Sequence, residues 1–190
     1  MTSYGRNFEV TVPPRGENRK GRYYNAEGAA FPIGAPVVAT NGSENALGLA
    51  PVAVADGAQD APVNSQGGIA VYEYGPNAYA GYDPELTTYS DLDTVPAAAA
   101  VQVISGDYVK VRFRNTADST FLNSRACTGR TMVAGVGATP TVSVGDYLTP
   151  QGSPSDTTGY WQSTATASEA WLVITKVDSA RDEVEAQMTF

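Results

Sequence analysis

Short apolar runs separated by turn residues dominate the middle of the chain. The runs Ala35–Ala39, Leu47–Ala55 and Ile69–Tyr74 are rich in Val, Ala and Ile, and Asn-Gly, Asp-Gly and Gly-Gly pairs lie between them. Each run is too short for a stable helix, and such pairs are typical of tight turns between strands. The pattern therefore predicts a series of short antiparallel β-strands.

A clear period-two alternation follows at residues 109–114. Its apolar positions, Val109, Val111 and Phe113, predict a buried face. The alternate positions are basic and predict an outer face, made of Lys110, Arg112 and Arg114. Like charges on one strand face repel one another, so we expect an acidic strand or an acidic partner beside this strand.

The last residues alternate in the same way. The side chains predicted to face the core are Val184, Ala186, Met188 and Phe190. The final residue is therefore expected to belong to the core, and loss of the last few residues is expected to destabilise the domain.

A Gly-Asp-Tyr-aliphatic motif occurs at 106–109 and again at 145–148. Gly and Asp both tolerate turn conformations, so the two segments are predicted to form equivalent turns. The segment Ile33–Val37 is a third, weaker copy. Together with the strand series, these turns predict an all-β fold, a small β-barrel or sandwich of short antiparallel strands with long loops.

Two segments interrupt the strand pattern. Residues 1–24 predict an extended basic N-terminal arm, which leaves residues 25–190 as a single β domain. Residues 75–100 predict a Tyr-rich loop insertion in that domain. An ordered loop of this length usually has a function, so its tyrosines Tyr79, Tyr82 and Tyr89 are candidate contact residues.

Charge is distributed unevenly. Residues 1–22 hold five basic and two acidic residues, a net of +3 within a chain of net charge −8, so the remainder carries −11. A basic arm on an acidic body predicts docking on an acidic protein surface, which belongs either to the chain itself or to a neighbour. Phosphate backbones would be repelled by the body, and no nucleic-acid partner is expected. The predicted interface residues of the arm are Arg6, Phe8, Val10, Arg15, Arg19, Lys20, Arg22, Tyr23 and Tyr24.

Candidate catalytic chemistry is sparse. The chain has no His, one cysteine (Cys127), and no nucleophile elbow, phosphate loop or calcium loop. Cys127 is interpreted as an ordinary buried or half-buried cysteine. No catalytic residue, metal ligand or cofactor is predicted, and the protein is not expected to be an enzyme. Neither a run of ~18 apolar residues nor a secretory segment is present, so no membrane partner is expected.

Several of these motifs together resemble a known family. The sequences GAPVV (34–38), LGLAPVAVADGA (47–58) and GGIAVYE (67–73) resemble the head decoration, or capsid cement, proteins of tailed bacteriophages. The C-terminal part, TVSVGDYLTP (141–150) followed by EAWLVITKVDSARDEVEAQMTF (169–190), is similar in style to that family. The resemblance covers about half of the chain and consists of turn and hairpin patterns.

The resemblance implies a non-enzymatic structural protein of the virion. It implies a homotrimer, made in the host cytoplasm, that binds the major capsid protein on the capsid exterior and stabilises the shell. Two alternatives remain open. One is another phage structural component, such as a tail tube, head–tail connector or minor capsid protein. The other is a carbohydrate- or surface-binding β-sandwich, in which Trp161, Trp171 and the tyrosines stack on sugar rings.

Overall fold

The computed structural model describes residues 8–12, 20–55, 67–71, 94–106, 108–114, 143–150, 161–178 and 183–190. The predicted all-β fold is confirmed: apart from the 3-10 turn Ala167–Glu169, the regular elements in these ranges are strands. The strands are β1 Phe8–Val12, β2 Lys20–Asn25, β3 Phe31–Pro32, β4 Pro36–Ala39, β5 Ala50–Val54, β6 Gly67–Val71, β7 Thr94–Val95, β8 Ala100–Ile104, β9 Lys110–Arg114, β10 Tyr147–Pro150, β11 Trp161–Thr164, β12 Leu172–Asp178 and β13 Glu183–Met188.

Five strands close into a barrel in the order β2-β8-β6-β4-β5. Four of the pairings are antiparallel, and β5 closes the ring by pairing with β2 in parallel. The apolar runs that predict strands form β4, β5 and β6, so they make up more than half of the barrel wall. A short antiparallel pair, β3 with β7, lies outside the ring order.

The remaining strands form an antiparallel six-stranded sheet in the order β1-β9-β13-β12-β10-β11. Without β1, this order repeats that of the barrel. The strands correspond as follows: β9 to β2, β13 to β8, β12 to β6, β10 to β4 and β11 to β5. The four pairings between neighbouring strands in this part of the sheet are antiparallel, as are the four equivalent pairings in the barrel. The chain therefore contains one five-strand topology twice, and we call the two copies the first and second repeat.

Backbone hydrogen bonds at the entry to β4 and β10 support the repeat. The N–H of Gly34 donates to the carbonyl of Ala70 (2.8 Å), and the residue after Gly34 accepts from the N–H of Ala70 (3.0 Å). Gly145 and the residue after it make the same two bonds with Ile174, at 2.8 and 2.9 Å. Both glycines have positive φ, 88° and 95°, which other residues adopt at a cost.

This arrangement corrects the predicted equivalence of the turns. The segment Ile33–Val37, the weak copy in sequence, is the structural counterpart of the turn at Gly145. The turn at Gly106 precedes β9, the first strand of the second repeat, and belongs to a different position. The shared Gly-Asp-Tyr letters therefore reflect the common chemistry of turns and not the repeat itself.

The ladder between the first strand and the last strand also repeats. In the barrel, Arg22 pairs with Gln102 and Tyr23 with Val101; in the sheet, Arg112 pairs with Glu185 and Phe113 with Val184. The sequences of β2 and β9 begin KGRY and KVRF, respectively. The residues that face the core therefore correspond between the repeats, as do the outward-facing arginines.

The core is shared by the barrel and the sheet. One cluster of buried side chains includes residues of both, and aromatic rings connect its sheet side. Trp161 lies 6.2 Å from Phe113 and 6.1 Å from Trp171, centroid to centroid. Trp161 also donates its indole N–H to the carbonyl of Gly34 (2.9 Å), which links β11 to the turn before β4. The two repeats are thus packed into one body.

The predicted inward face of the last strand is confirmed. Val184, Ala186 and Met188 are buried, and Phe190 packs against the core with its ring 5.2 Å from that of Trp171. The acidic strand expected beside the basic face of β9 is β13, which places Glu185 opposite Arg112. The chain itself supplies this complement.

The predicted N-terminal arm needs correction in its described part. β1 pairs with β9 as the edge of the sheet, and β2 is a wall of the barrel. The predicted boundary after residue 24 falls inside β2, which ends at Asn25. Residues 8–12 and 20–24 belong to the folded body because their strands pair with strands of both repeats. The rest of the arm and most of the predicted loop 75–100 lie outside the described residues.

Candidate interaction surface

The described interface candidates divide into inward-facing and outward-facing residues. Val10 and Tyr23 are half-buried and pack against the hydrophobic core, which gives both a structural role, and the contact role predicted for them stays a prediction. Their alternation with polar positions signals a strand, and the apolar face of a strand in a closed fold turns inward.

For two other candidates only the backbone pairing is described, and others lie outside the described residues. Phe8 pairs with Phe113 and Lys20 with Ile104, and nothing further is described of either side chain. The candidates that lie outside the described residues are Arg6, Arg15, Arg19, Tyr79, Tyr82 and Tyr89. The contact role predicted for them stays a prediction.

Arg22 and Tyr24 are the predicted contact residues that face outward. They are two positions apart on β2 and share its outer face. Arg22 is exposed, and Gln102 of β8 lies opposite it and is half-buried. Tyr24 is half-buried and donates its hydroxyl to the carbonyl of Ser43 (3.1 Å), which attaches the β4–β5 loop to β2.

That loop presents an apolar side chain which the sequence patterns did not mark as a contact residue. The side-chain oxygen of Asn45 accepts from the N–H groups of Leu47 (2.9 Å) and Leu49 (3.0 Å). Gly48 continues the turn with a φ of 71° and donates to the carbonyl of Asn45 (2.9 Å). Leu47 is held at the outside of this turn and is 70% exposed. The sequence signal that could have indicated this turn is an Asn three residues before a Gly, because Asn side chains often accept hydrogen bonds from the backbone of such turns.

We call Arg22, Tyr24, Leu47 and Gln102 the β2 patch. It combines a cation, an aromatic ring with a polar tip, an exposed aliphatic side chain and an amide. Arg and Tyr are enriched in protein interfaces. The patch is suited to binding a protein surface, and it offers no group arranged for covalent chemistry.

The basic face of β9 is electrostatically different from the patch. The guanidinium Nη2 of Arg112 lies 3.6 Å from Oε2 of Glu185, and both side chains are partly shielded from solvent. Glu9 of β1 occupies the other neighbouring position in the register. The predicted requirement for an acidic neighbour is therefore met within the chain at Arg112.

The two tryptophans proposed for sugar stacking are not available for it. Trp161 and Trp171 are both 0% exposed and pack in the core between the barrel and the sheet. Stacking on a sugar requires one face of the ring to be open, so the carbohydrate-binding alternative loses its two tryptophans as stacking residues.

Asn25 is a buried polar residue that the sequence patterns did not identify. It is 1% exposed, and its side-chain N–H groups donate to the carbonyls of Ala29 (3.0 Å), Val95 (3.1 Å) and Pro96 (3.0 Å). Its side-chain oxygen accepts from the N–H of Glu27 (2.8 Å). These neighbours satisfy both ends of the amide, which gives Asn25 a structural role at the end of β2.

Within the ranges that the structure describes, no group of three or more His, Cys, Asp or Glu side chains is arranged to hold a metal ion. The same ranges contain no helix of the length and apolar character needed to cross a membrane. Comparison with protein-family models and with curated proteins finds no match for this chain.

Proposed function

We propose that this protein is a non-enzymatic structural protein of a phage virion, which binds the outside of the capsid and stabilises it. In this proposal it acts as a decoration or cement protein, as a homotrimer that contacts the major capsid protein. It is made in the host cytoplasm and resides on the capsid exterior, and it needs no cofactor.

The observation that carries the proposal is the placement of the motifs that resemble decoration proteins. The GAPVV, LGLAPVAV and GGIAV segments are β4, the loop with β5, and β6, three adjacent strands of the closed barrel. The C-terminal motifs form β10, β12 and β13, and in the second repeat β10 and β12 hold the positions of β4 and β6. A compact β domain, in which similar turns precede β4 and β10, is consistent with a protein that binds the capsid and stabilises it.

The outward-facing β2 patch supports a binding role. Arg22 and Leu47 are exposed, and the loop that carries Leu47 is fixed by Asn45 and Tyr24. A fixed loop loses little conformational entropy when it docks, whereas ordering a flexible one costs about 1–2 kcal/mol per residue. A preordered contact surface is therefore consistent with tight attachment to a shell.

Co-sedimentation with empty capsids tests the proposal. We expect the protein to pellet with capsids at low salt and to raise the temperature at which the capsids break open. Bovine serum albumin of matched concentration serves as the control for trapping in the pellet. A protein that stays in the supernatant at every salt concentration is not a decoration protein.

The location of the chain in the virion distinguishes the proposal from the alternative that the chain is another phage structural component. Virions are disrupted, and heads and tails are isolated on a density gradient and probed for this chain. The proposal expects the chain in the head fraction at high copy number. Recovery with tails supports a tail-tube role, and a few copies at the head–tail junction support a connector role.

A further inference from the structure

The loop between β4 and β5 contains an Asn-Gly pair, Asn41-Gly42, which has no part in the proposed function. No other Asn in the chain is followed by Gly. Both residues of the pair are exposed. Among the described residues, nothing accepts a hydrogen bond from the N–H of Gly42, and nothing bonds to the side-chain amide of Asn41. The amide carbon of Asn41 and the backbone nitrogen that follows it are therefore accessible to solvent and to each other.

The loop is held on either side of this pair. The N–H of Thr40 donates to the carbonyl of Pro51 (3.1 Å). On the other side, the carbonyl of Ser43 accepts from the hydroxyl of Tyr24 (3.1 Å). The pair lies between these two anchors, and its glycine has no Cβ to restrict the backbone or to shield the nitrogen. The pair is therefore the unbonded part of a loop that is otherwise fixed.

Two other described asparagines are protected by comparison. Asn25 is 1% exposed, and its side-chain amide is hydrogen-bonded at both ends. The side-chain oxygen of Asn45 accepts from the N–H groups of Leu47 and Leu49, which fixes the amide within the turn. An alanine follows each of these asparagines, and its Cβ crowds the backbone nitrogen that would have to react. Asn25 and Asn45 are therefore internal standards against which Asn41 can be measured.

We propose that Asn41 is a site of spontaneous deamidation, a covalent modification brought about by its own neighbour. A hydroxide ion removes the proton from the backbone nitrogen of Gly42, and that nitrogen attacks Cγ of Asn41. The new N–Cγ bond closes a succinimide ring. The Cγ–Nδ2 bond breaks, and Nδ2 takes a proton from water and leaves as ammonia. Water then adds to either ring carbonyl and opens the ring to aspartate or isoaspartate, so water is consumed, ammonia is released, and nothing is oxidised or reduced.

The modification changes the loop in charge and in length. The new carboxylate makes the chain more negative than its formal charge of −8. The isoaspartate product also adds a methylene group to the main chain, just before the carbonyl of Ser43 that Tyr24 holds. This lengthening is expected to weaken the anchor and to loosen the loop that carries Leu47, a member of the β2 patch. The reaction needs no partner, so the inference does not depend on capsid binding.

Peptide mass spectrometry of the aged full-length protein tests the inference. Cleavage after Glu27 and Glu44 releases residues 28–44, in which Asn41 is the sole asparagine. Deamidation replaces NH2 by OH in this peptide, and labelling by an isoaspartyl methyltransferase identifies the isoaspartate form. We expect Asn41 in the folded protein to react about tenfold faster than the two internal standards, since ring closure at Asn41 has the lower barrier. The rate is expected to rise with pH, because the attacking nitrogen must lose its proton.

Two variants separate the pair from its surroundings. Asn41→Gln has a longer side chain that closes a ring much more slowly, so peptide 28–44 is expected to keep its mass. Tyr24→Phe keeps the aromatic ring but loses the hydroxyl that holds Ser43. It is expected to raise the rate at Asn41 severalfold, because the backbone beside the lost anchor then rotates more freely.

Three results overturn the inference. One is a rate at Asn41 in the folded protein that equals the rates at Asn25 and Asn45. Another is a rate in the folded protein far below that of the same chain in urea at equal pH and temperature, which would show that the fold protects the pair. The third is a change in the mass of peptide 28–44 in Asn41→Gln at the wild-type rate, which would place the reaction at another residue.

Discussion

Arg112 and Glu185 face each other across β9 and β13, and their counterparts in the barrel are Arg22 and Gln102. The pair explains how a strand with three basic side chains on one face remains part of a folded sheet. In the register of β13, Glu185 lies opposite Arg112, so the central basic residue of the β9 face has an opposite charge beside it, while Lys110 lies opposite the neutral Gln187. In the barrel, the residue opposite the arginine in the register is Gln102.

Neutralising Glu185 tests the stabilising contribution of this pair. Glu185→Gln is expected to lower the free energy of unfolding by about 0.5–1 kcal/mol, because the pair is only partly shielded from water. Urea unfolding measures the change, and the difference from wild type is expected to shrink in high salt. Glu44→Gln, at an exposed loop position, is the control and should leave stability unchanged.

Loss of the C-terminal strand end is expected to be severe. A chain that ends at Val184 lacks Met188, which is buried, and Phe190, whose ring packs edge-on against Trp171. We expect this truncation to abolish cooperative thermal unfolding. Phe190→Ala removes only the ring and is expected to cost about 1–2 kcal/mol. Val144→Ala, at a position 64% exposed, is the control; an intact Tm in the truncated chain contradicts the prediction.

Asn25 is expected to be among the most sensitive polar positions of the described fold. Asn25→Ala leaves buried carbonyl groups and the N–H of Glu27 without their present partner, at a cost of about 2–3 kcal/mol. Chemical denaturation measures the loss. Asn45→Ala removes comparable bonds from an exposed loop and is expected to cost about 1 kcal/mol. Equal effects at the two positions would show that burial does not control the cost.

Thr149 offers a stabilising substitution. It is 2% exposed, and its hydroxyl oxygen has no hydrogen-bond partner among the described residues. The equivalent residue of the first repeat is Val38, which is also buried. Thr149→Val has nearly the same shape and is expected to raise the free energy of unfolding by up to about 1 kcal/mol. Thr149→Ser keeps the hydroxyl but loses the methyl group, so a gain in that variant contradicts the explanation.

Gly67 is expected to tolerate no side chain. A Cβ at this position of β6 would overlap the ring of Trp171, so the barrel and the sheet would have to separate locally. Gly67→Ala is therefore expected to cost about 1–3 kcal/mol, as overpacking of a core does, and urea unfolding measures the loss. Gly28→Ala is the matched control because a Cβ at position 28 would meet no other atom within 4 Å. A small effect at both sites would show that Trp171 moves freely.

Local patterns were sufficient for many of the strands and for the polarity of their faces, although β2 was predicted as part of an extended arm. The alternation at β9 and β13 predicts which side chains are buried, because period two is a property of a single strand. The acidic neighbour of β9 was also predictable, since charge repulsion on one face requires compensation nearby.

What the sequence did not reveal depends on distant pairings. The ring closure by β5 and β2 joins Tyr23 to Ala50, and no pattern within either strand encodes that contact. The repeat was largely hidden for the same reason, since its sequence traces are short and weak, and its clearest shared feature is the register at Gly34 and Gly145. Asn25 was missed because its partners lie up to 71 residues away along the chain.

The position of β1 has a consequence for the order of folding. β1 precedes the first repeat in the chain, yet its strand partner is β9 of the second repeat. During synthesis, β1 therefore cannot pair with β9 until residues 110–114 have been made. A cut of the chain between the two repeats would leave β1 on the fragment that contains the first repeat, without its partner strand β9. We therefore expect this chain, although it contains one topology twice, to unfold as one cooperative unit, because β1 joins the segment before the first repeat to the second repeat.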